Sequence, residues 1–224
     1  MSTPQLVRTR AVESTLATNK LIRNTYTLLS MTLLFSALTA AVSVWLRMPP
    51  MTYLLSLVGA FLLIWLVLPR TANSASGLGV VFAITGLLGF SLGPLLSAYL
   101  ALANGPQIVG TAFAGTGVIF LGLSGYALTT RKDFSFMGGF LITGFLVVLM
   151  AALANIFLQM PALSLAISSA VIFIMSGFIL YDTSRMVHDR GETNYVLATV
   201  SIYLSIFNIF IHLLSILGIM GGDD

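Results

Sequence analysis

The chain has 224 residues, of which 58% are hydrophobic and only 8% charged, with a mean hydropathy of +1.01. Soluble domains carry about 25% charged residues to cover their surface, so this composition excludes a soluble domain and makes lipid the solvent. The net charge of +3 comes from ten Lys and Arg against seven acids, too few for a nucleic-acid surface. With no cysteine, disulfides, thiolate metal sites and cysteine catalysis are all excluded.

Residues 1–23 form a polar tail with Arg8, Arg10, Lys20 and Arg23 and no sustained hydrophobic period, the character of an unstructured end. Beyond it the charged residues act as punctuation. They leave charge-free runs at Asn24–Leu46, Met48–Pro69, Thr71–Thr130, Phe134–Tyr181 and Thr193–Gly222. Crossing about 30 Å of hydrocarbon takes roughly 20 apolar residues. The first, second and last runs therefore hold one helix each, and the two long runs hold two. Asn104-Gly-Pro-Gln107 breaks the third run and Gln159-Met-Pro161 the fourth, both with residues that end helices. The expectation is an all-α polytopic membrane protein with spans near 25–46, 52–69, 78–103, 107–130, 136–158, 162–184 and 195–218, one transmembrane domain over 24–220. Six spans with one re-entrant segment is the alternative.

Lys and Arg accumulate in cytoplasmic loops. One side of the expected topology holds Arg8, Arg10, Lys20, Arg23, Arg70, Arg131, Lys132, Arg185 and Arg190; the other holds only Arg47. This predicts a cytoplasmic N-terminus and a C-terminus outside. The first span reads as a retained helix, because its apolar run continues to Leu46 and a signal's hydrophobic region covers only about 7–15 residues.

Glycine gathers in the third span (Gly86, Gly89, Gly93) and the fourth (Gly115, Gly117, Gly122, Gly125), spacing that suits close helix packing. Intramembrane polar groups are costly and mark function or packing; here they are Asn155, Asp182, Asn208 and His212. Asp182 falls near the cytoplasmic end of the sixth span. Helical spacing puts Arg185 and Asp189 on its face, up to a stop at Gly191, so a salt bridge to Arg185 and a proton or cation path are both open readings. Asn155, Asn208 and His212 are expected to bond neighbouring helices.

Two catalytic readings fail. Gly122-Leu-Ser-Gly125 matches the serine motif of rhomboid proteases, which needs a histidine. Ser124 lies seven residues from Arg131 and His212 eighteen beyond Asn194, so their depths differ by roughly 15 Å. His188 and His212 are likewise too far apart in depth to share an ion, so neither a metal site nor a cofactor is expected.

The chain resembles the Bax inhibitor-1 family, and within it the bacterial YccA branch. The resemblance is carried by Arg23-Asn-Thr-Tyr26, Leu128-Thr-Thr-Arg-Lys-Asp-Phe-Ser-Phe136, Ala154-Asn-Ile-Phe-Leu-Gln159, Leu180-Tyr-Asp-Thr183, Gly191-Glu-Thr-Asn-Tyr195, Ser201-Ile-Tyr-Leu204, Asn208-Ile-Phe210 and Leu213-Leu-Ser-Ile-Leu-Gly218. It implies a non-enzymatic, multi-pass protein of the bacterial inner membrane whose partner is the membrane protease FtsH, inhibited by a slow substrate that enters through its tail. The wider family implies an alternative, a pH-sensitive calcium or proton leak through the bundle. That leak is gated by two facing aspartates and an arginine near the end of the second helix. Asp182 matches the first aspartate, Ser205 stands where the second is expected, and Arg70 lies near the arginine's place. One carboxylate beside a serine lacks like-charge coupling and chelates a hard cation more weakly, so weak or absent calcium conduction is expected.

Overall fold

The structure is a computed structural model that describes the backbone of residues 4–188 and 193–221 and the side chains from Thr18 onward within those ranges. Its described residues form seven helices long and apolar enough to cross a membrane. The reading of two spans in each long run holds.

Helix α1, Pro4–Trp45, runs without a break. Its charge-free stretch starts at Asn24, and the polar residues before it are helical from Pro4 onward rather than unstructured. The reason is local: Pro4 suits a first helical turn, and no further proline or glycine occurs before Trp45. Pro49 and Pro50 end the helix, and Arg47 takes a left-handed φ of 52° in the turn.

Helix α2 spans Met51–Thr71. It widens into one π turn at Leu63–Val67, just before Pro69, which has no N–H for the Trp65 carbonyl and would crowd it. Helix α3 is Ser76–Leu100 and α4 is Gly105–Thr130, which Arg131 ends in a left-handed conformation. A short 3₁₀ turn, Ser135–Met137, leads into α5, Gly138–Leu158. Left-handed Gln159 and then Pro161 divide α5 from α6, Pro161–Val187. The sixth helix, expected to continue to Gly191, stops at Val187. There the His188 amide and ring Nδ1 both engage the Ser184 carbonyl. Asp189, Arg190 and Gly191 lie outside the described residues.

Helix α7, Tyr195–Gly221, begins where Asn194 Oδ1 accepts the Val196 amide at 2.7 Å, a side-chain N-cap. It forms the middle of the bundle, burying Ile202, Tyr203, Ile209 and Leu214 almost completely and touching α1, α3, α4 and α6. Cross-bundle bonds fix which ends lie together. Asn194 Nδ2 donates to the Ala72 carbonyl and to Asn73 Oδ1 between α2 and α3. Ser184 Oγ accepts the Phe134 amide and donates to the Lys132 carbonyl. At the opposite end Asn104 Nδ2 donates to the Gly221 carbonyl. The basic residues Arg70, Arg131, Lys132 and Arg185 thus share one end of the bundle.

Candidate functional site

Helices α6 and α7 meet as an antiparallel hairpin, and the polar side chains of the membrane interior cluster on its seam. Asp182, one turn before the end of α6, is 8% exposed. Its Oδ2 accepts a 2.6 Å hydrogen bond from Ser201 Oγ on α7. Ser205, one turn further along α7, is buried and donates to the Ser201 carbonyl at 3.2 Å. The serine that meets the carboxylate is therefore Ser201. The pairs 182–201 and 168–212 centre the hairpin at positions 190–192, slightly earlier than the 193–194 that facing residues 182 and 205 would need.

Arg185 is exposed and does not pair with the carboxylate one turn below it. Its guanidinium carbon lies 5.6 Å from the centre of the Tyr181 ring, a cation–π contact at the bundle surface. Asp189 is not described, so only the Arg185 half of the expected charged face can be placed. Arg70 also stays apart, donating from Nη1 to the Leu66 carbonyl of its own helix at 2.8 Å.

The three other polar residues divide. His212 Nδ1 bonds Ser168 Oγ across the seam at 3.1 Å, the interhelical role expected of it. Asn155 bridges the α5–α6 turn, donating to Ser164 Oγ at 2.7 Å and accepting the Met160 amide. Asn208, by contrast, donates to the Leu204 carbonyl of its own helix at 2.8 Å, so it does not join two helices. Ser201, Ser205, Asn208 and His212 recur at helical spacing on one face of α7. That stripe runs from the Asp182 carboxylate toward Ser168. Ser124 Oγ is buried without a hydrogen-bond partner, and the serine and histidine of the rejected protease motif stay separate.

A second polar cluster joins α1 to the same hairpin. Tyr203 Oη and Ser36 Oγ are 2.5 Å apart, and Tyr203 also donates to the Thr85 carbonyl of α3 at 3.3 Å. Tyr26 Oη meets Thr183 Oγ1 at 3.1 Å, and Thr199 Oγ1 reaches the Thr25 carbonyl. Sequence reasoning missed Ser201, Ser36 and Tyr203 as site residues, because serine and tyrosine are common in apolar helices. The usable signal was the four-residue recurrence of polar positions along α7.

Chemically, this site offers one buried carboxylate with one hydroxyl donor. That set can hold or release a proton and can give a cation only part of an oxygen shell. Among the described residues no three His, Asp or Glu side chains converge as a metal site would need. Of the proposed tail contacts, Lys20 and Arg23 are exposed, while the side chains of Arg8 and Arg10 lie outside the described ones.

Comparison with known proteins gives a coherent picture. A family profile described as "Inhibitor of apoptosis-promoting Bax1" matches residues 18–222. A protein of Escherichia coli K12 named "Modulator of FtsH protease YccA" is 51% identical over 210 residues, covering 94% of both chains. An uncharacterized membrane protein of Vibrio cholerae is 49% identical over the full length of both. An uncharacterized protein of Pseudomonas aeruginosa is 47% identical over 91% of this chain and 90% of its own.

Proposed function

The chain belongs to the Bax inhibitor-1 family, and from that we infer a non-enzymatic regulator that binds and inhibits the membrane protease FtsH in the bacterial inner membrane. The observation that carries this reading is the 51% identity, across 94% of both chains, to a relative named for modulating that protease. The distribution of basic residues supports a cytoplasmic N-terminus and a periplasmic C-terminus. Nine of the ten Lys and Arg lie in the tail or in loops of one side.

The physical logic rests on two unequal parts of the molecule. A processive protease needs an end it can pull. The polar start of α1, before the charge-free run that begins at Asn24, carries no sustained hydrophobic period in its sequence to pack against the bundle, so it can melt into an engaged strand. The bundle behind it is held by the hairpin seam and by the Tyr203–Ser36 and Tyr26–Thr183 bonds. An engaged tail on a resistant bundle occupies the enzyme while being degraded slowly.

The test is a pull-down of tagged full-length protein from bacterial membranes beside a version lacking residues 2–20, probed for FtsH. Expected are co-purification with the full-length chain, weaker recovery with the truncated one, and a longer cellular lifetime for the latter. Absence of FtsH from both samples, or unchanged lifetime after truncation, overturns the reading.

A second reading, a proton or cation leak along the α6–α7 seam, is favoured by the buried Asp182–Ser201 bond. With Ser205 where a second aspartate is expected, calcium flux is small on this reading and proton flux the larger of the two. In liposomes, Asp182→Asn should abolish proton flux. Flux that survives the substitution removes Asp182 from any path.

A further inference from the structure

The open side of the bundle carries a cleft unrelated to the α6–α7 seam. It has a volume of about 490 Å³ and is lined by residues of α4, α5, α6 and the 3₁₀ turn before α5, among them Ile119, Gly122, Met137, Leu141, Phe173 and Leu180. The cleft exists because α5 leans on α6 and not on α4. Of the residues of α5 only Gly138 and Leu141 are buried, and a Cβ at Gly122 would meet no atom within 4 Å. Leu180 and Phe173 lie seven residues apart along α6, so the cleft is roughly 10 Å deep along the helix axis. An empty apolar wedge of that size forfeits dispersion contacts on every wall. In a bilayer the available filler of that shape is a hydrocarbon chain.

One end of this cleft is roofed by the segment between α4 and α5, and the roof is positively charged. Phe134 packs against Tyr126 of α4, with ring centres 6.2 Å apart, while Ser184 clamps the segment onto α6 through the Lys132 carbonyl and Phe134 amide. Tyr181 packs on Gly138, and Arg185 lies over the Tyr181 ring. Arg131, Lys132 and Arg185 are all exposed at this rim. The single acid of the segment, Asp133, is exposed and accepts the Ser135 amide at 2.9 Å, so three cations face one carboxylate here. Basic recesses between helices at a membrane surface suit anionic lipid head groups.

We propose that this cleft is a binding site for an anionic phospholipid. One acyl chain fills the wedge between α4 and α5, and the phosphate rests on Arg131, Lys132 and Arg185. The occupant is a lipid rather than a partner helix because the apolar cleft extends along α6 from Phe173 to Leu180 and ends at a cationic roof. The roof supplies headgroup selectivity and the wedge supplies affinity.

The experiment uses the full-length protein in mild detergent, with retained lipid counted by native mass spectrometry. Phosphatidylglycerol is titrated against phosphatidylethanolamine with matched acyl chains, and inorganic phosphate is added as a competitor. Three cations at the rim should favour the anionic lipid on the order of ten-fold or more. Gly122→Phe, placed where a side chain has room, should reduce retention of both lipids. The double variant Arg131→Gln/Lys132→Gln should leave acyl-driven retention but erase the headgroup preference. Equal retention of the two lipids by the unmodified protein overturns the proposal, as does retention unchanged by Gly122→Phe. Displacement by inorganic phosphate alone would mean an anion site without a chain, and also overturns it.

Discussion

Helices α3 and α4 contain similar numbers of glycines and look alike in the sequence, yet their glycines meet different surroundings. On α3, Gly86 faces the Phe35 ring, Gly89 faces the Ser36 carbonyl and the hydroxyls of Ser36 and Thr39, and Gly93 lies directly on Ser43, all from α1. On α4, Gly110, Gly117, Gly122 and Gly125 face open space; Gly115 approaches Leu213 of α7, and Gly105, where the helix starts, meets Tyr99 and Leu100 at the end of α3. Small residues permit close approach, but the approach happens only where a partner helix occupies that face. Correspondingly, nine residues of α3 are buried against six of the similarly long α4. The fold has one locked side, where α1, α3 and α7 interlock, and one open side, where α4 and α5 stand apart.

The largest test of this contrast is a paired substitution. Gly93→Leu would drive a side chain into Ser43 of α1, overpacking of a kind that costs about 1–3 kcal/mol and occasionally more. Gly125→Leu projects into space that the bundle leaves free and should change stability by no more than about 0.5 kcal/mol. Thermal unfolding in detergent, followed by size-exclusion of the soluble fraction, compares the two directly. Equal losses would mean that the open face of α4 is packed in the membrane, against a second copy or another protein.

Much of this architecture could be read before the coordinates, and the failures share a cause. The spans were legible because lipid enforces long apolar runs, and the breaks at Asn104–Gln107 and Gln159–Pro161 were legible because proline and glycine punctuate helices. The third-span glycines pack as expected, whereas of the four named in the fourth span only Gly115 approaches another helix. Both sets satisfy the same spacing rule, and spacing says nothing about which neighbour is present. The site shows the same limit. Asp182 was found from its isolation in an apolar run, and His212 was given its interhelical bond. Ser201 was missed in favour of Ser205 because a shift of one helical turn keeps a residue on the same face. Asn208 and Arg70 were assigned outward partners but satisfy themselves on carbonyls of their own helices, a local solution always available to a long polar side chain. The helical start of α1 was hidden by its polarity, which argues against burial but not against helix formation.

The smallest expected effect concerns the segment that joins the two helices of the open side and is clamped onto α6. Asp133 accepts the Ser135 amide, and bonds from Ser135 hold its carboxyl below the usual carboxylate range. A lowered value in the folded state means that the charged form favours the ordered turn. That contribution is fully present above the unfolded value, near about 4, and is lost as pH falls through the depressed folded one. Asp133 is fully exposed, so the effect is local and screened by salt. Hydrogen exchange of segment 133–137, corrected for intrinsic rates and compared with Asp133→Ala, should show extra protection in the unmodified protein at about pH 6. The two proteins should converge once the medium is acidified past the depressed value. Protection that stays higher down to the lowest pH would assign the order of the turn to the Ser184 clamp alone. The attachment of this segment to α6 would then be independent of charge.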